Sequence, residues 1–289
     1  MVSVNCVRDS PSRRRLIRLS CLLAVNPDPN GPPVWEPPYP LIVTGARDNT
    51  VRIWKLPQHN SARSSHQSYA PPSPSDEAID PNANPHHIAC LRGHTAAIRA
   101  LAAEGRVIVS GSYDCNLRVW DTLTGKCQYL LEGHKSKVYS VVLDVERKRC
   151  ASGSMDGSVR LWCLETGAGL YRLDGHSSLV GLLQLSYHFL VSAGADSTLK
   201  LWDPATGTCI NTLAAHAGAI TCFEHDDFRV VSGTEGQIRL WDIRKGVPIR
   251  DLVTDMAGVW QVAYSDRYTV AAVQRDGTTE YESGCLWLD

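Results

Sequence analysis

SGSYDCNLRVWD, residues 110–121, is the stretch from which the fold can be read, because it keeps returning. Its copies are SGSMDGSVRLWC (152–163), SAGADSTLKLWD (192–203) and SGTEGQIRLWD (232–242), and an earlier one, VTGARDNTVRIW, occupies residues 43–54. LRVW, VRLW, LKLW and IRLW alternate apolar residues with a cation, the period-two pattern of a strand with one buried and one wet face. On that reading Arg52, Arg118, Arg160 and Arg239 are outward, solubilising cations. Short runs such as RVIVS, FLVSA and RVVSG read as buried inner strands, with Asp-x-x and Thr-Gly pieces as turns. Helical periodicity is absent.

A second motif precedes the later copies. Gly93-His94, Gly133-His134 and Gly175-His176, continued by Ala215-His216, set their histidines 40, 42 and 40 residues apart. Trp120, Trp162, Trp202 and Trp241 keep nearly the same period; Trp54 stands ahead of them, and Trp287 in GCLWLD closes the chain. A Gly-His to Trp-Asp repeat of about 40 to 45 residues resembles the WD-repeat family, in which each repeat makes one four-stranded propeller blade. The resemblance implies an all-β WD-repeat β-propeller: about five blades plus an N-terminal partial blade, part of a larger ring of the eight-bladed type.

Between Trp54 and Trp120 the spacing stretches to 66 residues. The excess, at about 57–87, is rich in Pro, Ser, His and Asn; such a composition buries too little surface to offset its ordering entropy and reads as a loop inserted between blades. Residues 1–40 read as an atypical or disordered N-terminal segment, and residues 41–289 as the propeller. The expectation is a C-terminal part of a larger propeller, or one with an altered N-terminal end.

Composition narrows the function. Lys plus Arg (29) nearly balance Asp plus Glu (30), so the overall field favours neither nucleic acid nor a membrane as partner. The ten cysteines include no C-x-x-C pair, which suits a reducing compartment. No apolar run approaches the roughly 18 residues needed to span a bilayer. At the start, Arg18 interrupts a short apolar stretch and no small-residue cleavage site follows, so no targeting peptide is expected. The expected location is the nucleus, the cytoplasm or both.

The repeated polar residues read as scaffold. His94, Asp114 and Trp120, then His134, Asp156 and Trp162, then His176, Asp196 and Trp202, and finally His216 and Trp241 are expected to form hydrogen-bonded sets that fix the loops. One histidine per repeat has no metal-ligand spacing. No phosphate-cradling loop, HExxH or GxSxG occurs, so no catalytic residue, metal or cofactor is expected and the chain is read as non-enzymatic.

Function is then sought in what differs between repeats. The slot before the turn Asp, or its equivalent, holds Arg47, Tyr113, Met155, Ala195 and Thr234. The slot five residues after the His holds Arg99, Tyr139, Gly181 and Thr221. Neighbouring repeats bring Arg47, Arg99, Tyr113 and Tyr139 together as a donor-rich patch. Arginine suits bidentate contact with phosphate or carboxylate, and tyrosine adds a hydrogen bond without charge.

LRGHTAAIRALAAEGRVIVSGSYDCNLRVWD, DVERKRCASGSMDGSVRLW and HSSLVGLLQLSYHFLVSAGADSTLKLWD carry a narrower resemblance. They look like the fungal cell-division-control F-box proteins with WD repeats, substrate receptors of SCF ubiquitin ligases. The likeness covers residues 41–289 and includes the non-repetitive ERKRC and VWQVAY. It implies a module that reads phosphorylated degrons on cell-cycle regulators for ubiquitin-dependent degradation. Arg47, Arg99 and Tyr113 match phosphate-contacting positions, Tyr139 lies beside them, and Trp260 in GVWQVAY matches a pocket wall, with a core role in the last blade as its alternative. The family's F-box and first blades have no counterpart in the sequence, so SCF components are expected as partners only with an F-box upstream. A further family arginine has Arg18 as its nearest candidate. Two other readings stand beside this one: a phosphate-independent interaction scaffold and a truncated remnant.

Overall fold

The computed structural model describes residues 18–23, 41–56, 84–186, 188–214, 216–264, 268–275 and 278–285. Trp287 and the inserted segment from 57 to 83 lie outside the described residues. The described elements are strands arranged in six antiparallel sheets, five of four strands and one of three.

The first sheet takes β1 (Arg18–Leu23), β2 (Leu41–Gly45), β3 (Val51–Lys55) and β4 (His87–Leu91) in that order. β1 falls inside the segment read as atypical, and it pairs with β2. The second contains β5 (Ile98–Glu104), β6 (Val107–Ser112), β7 (Leu117–Asp121) and β8 (Cys127–Leu131). The third contains β9 (Val138–Asp144), β10 (Arg149–Ser154), β11 (Val159–Cys163) and β12 (Gly169–Leu173). The fourth contains β13 (Val180–Leu185), β14 (Leu190–Gly194), β15 (Leu199–Trp202) and β16 (Cys209–Leu213). The fifth contains β17 (Ile220–His225), β18 (Arg229–Thr234), β19 (Gln237–Asp242) and β20 (Val247–Thr254), and the last β21 (Gly258–Tyr264), β22 (Tyr268–Arg275) and β23 (Thr278–Cys285).

The chain divides into two compact units, Met1–Cys150 with Trp162–Ala168, and Ala151–Leu161 with Gly169–Asp289. In the first unit Leu41, Val43, Val51 and Ile53 pack face to face on Ile98, Leu101, Ile108 and Trp120. The opposite face of the second sheet, with Val109, Leu117 and Val119, meets Val138, Val141, Cys150 and Trp162. In the second unit Val191, Leu199 and Leu201 meet Ile220, Val230 and Trp241, and Val231 and Leu240 meet Val259, Val262 and Val273. A sheet covered on both faces needs no alternation, which is why inner strands such as VIVSGS (β6) and RCASGS (β10) read as runs of small and apolar residues.

Glycine permits this close stacking. A Cβ on Gly45 would lie 2.4 Å from Ile98 Cγ2, and one on Gly111 would lie 2.6 Å from Val138 Cγ1. In the second unit Gly153 meets Val180 at 2.8 Å and Gly233 meets Val259 at 2.7 Å in the same way. Each glycine thus lets the first strand of the following sheet seat beside the turn that carries a variable residue.

The strand cations differ from the reading as a plain wet face. Arg52 donates to Asp48 at 2.5 Å, and Arg239 pairs with Asp251 at 2.5 Å. The Arg118 guanidinium lies 5.9 Å from the Trp120 ring centroid and covers Gly93. The Arg239 guanidinium likewise lies 5.7 Å from the Trp241 ring centroid.

Candidate functional site

The scaffold network assembles around a residue that sequence reasoning left out. His94 Nδ1 lies 2.7 Å from Asp114 Oδ2 and its Nε2 lies 2.8 Å from Ser110 Oγ, while Trp120 Nε1 donates to the same hydroxyl at 2.8 Å. His176 repeats the arrangement, with Asp196 at 2.9 Å and Ser192 at 2.8 Å, and Trp202 donates to Ser192 at 2.8 Å. A carboxylate acceptor on Nδ1 makes that nitrogen the protonated one, so Nε2 accepts from the serine hydroxyl, which accepts in turn from the indole. Each central serine is fully buried. The visible signal was the Ser that opens every later copy; Thr44 takes its place in the first sheet, accepting from Trp54 at 2.8 Å.

The His134 ring stands edge-on to Trp162 with centroids 6.2 Å apart, and Asp156 accepts from the Ser158 N–H and hydroxyl at 2.9 and 2.7 Å. His216 has Gln237 in place of an aspartate: the amide donates to Nδ1 at 3.0 Å, so Nε2 donates to Ser232 at 2.7 Å, and Trp241 also donates to Ser232 at 2.7 Å. Among the described residues no group of three or more His, Cys, Asp or Glu is placed to hold a metal.

These sets make stability depend on pH. Burial pushes His94 and His176 below the usual imidazole range against the pull of their aspartates, and burial with the nearby Arg239 charge pushes His216 down to about 4. Burial works to raise Asp114, but the Thr95 N–H and His94 outweigh it and hold the carboxyl low. Above pH 6.5 these histidines are neutral whether folded or unfolded, so their stabilising contribution is complete. As pH falls through 6.5 the unfolded chain binds protons that the folded chain refuses, and stability declines until about pH 4 for His216. Melting temperature is therefore expected to hold level above neutrality and fall steadily on acidification, with a shallower fall in His216→Gln. A rise on acidification would contradict this.

The variable slot after His94, His176 and His216 proves to be a β-bulge. The register of β5 on β6 shifts between Ile98 and Ala100, which places Arg99 at the bulge. Gly181, Thr221 and Trp260 occupy the same bulge in β13, β17 and β21. A bulged residue leaves the ladder and its side chain is re-aimed. Thr221 shows the new direction, since its hydroxyl donates to the Val259 carbonyl of the next sheet at 2.6 Å. Trp260 thus belongs to the Arg99 series, a relation the sequence reading did not make. It is 44% exposed, so the core alternative does not hold. In β1 the bulge falls at Ser20, and Arg18 pairs with Gly45 as Ala100 pairs with Gly111, one residue beyond the place of Arg99. Thr234 likewise faces Ile220 as Ser112 faces Ile98, which leaves Glu235, not Thr234, in Tyr113's slot.

Backbone hydrogen bonds carry the first unit's slots together. The Ile98 N–H donates to the Ala46 carbonyl at 3.0 Å, setting the exposed Arg47 turn beside Arg99, and the Tyr113 N–H donates to the Ala97 carbonyl at 3.0 Å. Asp114 then locks the Tyr113 turn by accepting from the N–H groups of Thr95 and Asn116, each at 3.0 Å. The Tyr113 and Tyr139 ring centroids lie 5.5 Å apart, and the Arg99 guanidinium lies 5.4 Å from the Tyr139 centroid. Lys137, absent from the sequence reading, holds its ammonium 4.9 Å from the Tyr113 centroid. Burial and a hydrogen bond with Tyr113 raise the Tyr139 hydroxyl pKa, so it stays a neutral donor.

The WD domain, G-beta repeat family model matches residues 2–55, 85–121, 125–163, 167–203 and 207–242. The chain belongs to the WD40 family. Its fold is the all-β WD40 propeller: the crystal structure of the WD40 β-propeller domain of Doa1 superposes with a TM-score of 0.59 at 20% identity, covering 83% of this chain and 74% of that one. This WD40 chain is 43% identical over 264 residues to Cell division control protein 4 of Candida albicans, covering 89% of the chain and 37% of that protein. It is 37% identical over 224 residues to Cell division control protein 4 of Saccharomyces cerevisiae, covering 70% and 29%. The resemblance read from ERKRC and VWQVAY thus extends along the sequence. The WD40 chain spans about a third of the length of these relatives.

Proposed function

We propose that this chain is a phosphopeptide-binding WD40 module of the kind that selects substrates for SCF ubiquitin ligases. Arg47, Arg99, Tyr113 and Tyr139 make the phosphate site. What carries this reading is the crossing of Arg99 over Tyr139 at 5.4 Å with the Tyr113 ring tilted against it at 5.5 Å, a guanidinium and two phenols converging on one edge. A guanidinium whose face rests on an aromatic ring keeps its N–H edge for a bidentate acceptor. A phosphate carries about −1.5 to −2 charges and several acceptor oxygens, so it uses both arginines and the phenol donors together. Trp260, in the second unit, stands exposed at the bulge of its own sheet.

The module acts on phosphorylated cell-cycle regulators in the nucleus or cytoplasm and leads to their ubiquitin-dependent degradation, with ubiquitin transfer carried out by partner proteins. Support comes from the likeness to Cell division control protein 4 of Candida albicans and of Saccharomyces cerevisiae. Calorimetric titration tests it with one phosphothreonine-proline peptide and its unphosphorylated twin. The expected result is micromolar or tighter binding of the first and at least about tenfold weaker binding of the second, the loss of one charge-assisted bond or more. Equal affinity for both would overturn the phosphate site and leave an interaction scaffold.

A further inference from the structure

In the second unit the β17–β18 turn carries Phe228, at 58% exposure the most exposed large apolar side chain among the described residues. β17 and β19 run the same way in their sheet, so this turn and the β19–β20 turn share one end of it, opposite the end with the variable slots of Thr221 and Glu235. The two turns are joined there. The Ile243 N–H donates to the Phe228 carbonyl at 2.9 Å. Asp226 accepts from the Phe228 and Arg229 N–H groups at 2.7 Å each, and from the Tyr264 hydroxyl at 2.8 Å. Phe228 is thus held out to water on a backbone that has little freedom left to lose on binding. Arg244, exposed on the second turn, lies over the Phe228 ring, 4.7 Å from its centroid. The nearby carboxylates have other donors: Asp242 accepts from the Arg244 and Lys245 N–H groups at 3.0 and 2.9 Å, and Asp227 lies 3.2 Å from His188 Nδ1. Among the described residues no carboxylate pairs with the Arg244 guanidinium.

We propose that Phe228 and Arg244 form a docking surface for an acidic segment of a partner protein, the ring taking an apolar side chain and the guanidinium an Asp or Glu beside it. Charge complementarity selects this occupant. The charge left unmatched at this end of the sheet is a guanidinium, and one resting on a ring keeps its planar N–H fork for a carboxylate. The ring beside it offers apolar area in the same place, so one short segment can use both. Arginine and aromatic side chains held on a rigid edge are the usual anchors of protein interfaces. The assignment does not depend on the phosphate site, whose residues lie in the other unit.

Selection of random dodecapeptides displayed on phage, against the full chain, tests this. Enriched peptides are synthesised and their affinities measured by fluorescence polarisation; those that Arg99→Ala weakens belong to the phosphate site and are set aside. The remainder are expected to carry Asp or Glu next to an aromatic or aliphatic residue, and to bind Phe228→Ser and Arg244→Gln each about tenfold or more weakly than the wild type. Arg244→Lys, which keeps the charge without the fork, should recover part of the loss. Replacing the acidic residue of the peptide by its amide should weaken binding to the wild type and change little in Arg244→Gln. The assignment is overturned if the remaining peptides lack a carboxylate, if they bind both variants as they bind the wild type, or if none remain. Light scattering distinguishes the other occupant: a dimer of the wild type that Phe228→Ser disperses would give this surface to a second copy of the chain and overturn the acidic partner. Both side chains are exposed, and equal melting temperatures verify that the variants are folded.

Discussion

Arg99→Ala is expected to weaken phosphopeptide binding by about ten- to a hundredfold while leaving the fold nearly untouched. Charge-assisted hydrogen bonds contribute about 1.5–3 kcal/mol each, and every 1.4 kcal/mol is a factor of ten in affinity. Arg99 is the bulged residue of β5, and truncating it leaves the backbone ladder in place and gives up its contact with the Tyr139 ring, worth about 0.5–1 kcal/mol at an exposed site. Melting temperature should change little. Arg99→Lys separates charge from geometry: it keeps the cation and loses the planar fork, and should recover only part of the affinity. Titration of both variants against phosphorylated and plain peptide makes the comparison, and an unchanged affinity in Arg99→Ala would remove it from the phosphate site.

Ser192→Ala is expected to be the most damaging small substitution in the second unit. The Ser192 hydroxyl serves both His176 Nε2 and Trp202 Nε1, each at 2.8 Å, and all three groups are buried. Alanine leaves a buried imidazole nitrogen and a buried indole N–H without partners, at about 1–3 kcal/mol each. The sum is roughly 2–6 kcal/mol, enough to lower the melting temperature by about 4–24 °C in a domain of this size. Trp202→Phe removes only the indole donor and leaves the Ser192–His176–Asp196 bonds, so its polar cost should be smaller, with a packing loss added. Thermal unfolding followed by circular dichroism ranks the two. A Ser192→Ala melting point within a degree of wild type would show that the serine is not the centre of the network.

The proximity of Arg99, Tyr113 and Tyr139 was legible in the sequence because these residues depart from a strong repeat. Against four copies of one block, Arg47, Arg99, Tyr113 and Tyr139 stood out as residues that a blade does not need. Lys137 was not legible, since a lysine in a loop looks like any other solvated cation; only its place over the Tyr113 ring distinguishes it. Ser110, Ser192 and Ser232 were visible at the head of every later copy, yet a hydroxyl shared by an imidazole and an indole is recognised only once both rings reach it.

The sequence by itself determined the all-β class, the repeat length and the tryptophans of the core, because a 40-residue period and an apolar–polar alternation reflect burial that acts within each repeat. Tertiary structure alone decided which residue of each first strand is bulged. A bulge is a one-residue shift between paired strands, and pairing is a relation between segments that no single segment records. That shift assigned Trp260 to the Arg99 series, put Ser20 and not Arg18 at the bulge of β1, and gave Glu235 the slot read as Thr234. VTGARDNTVRIW contains Arg47, but what sets its turn against β5 is the Ile98 hydrogen bond to Ala46, closed across more than fifty residues of chain when two sheets stack.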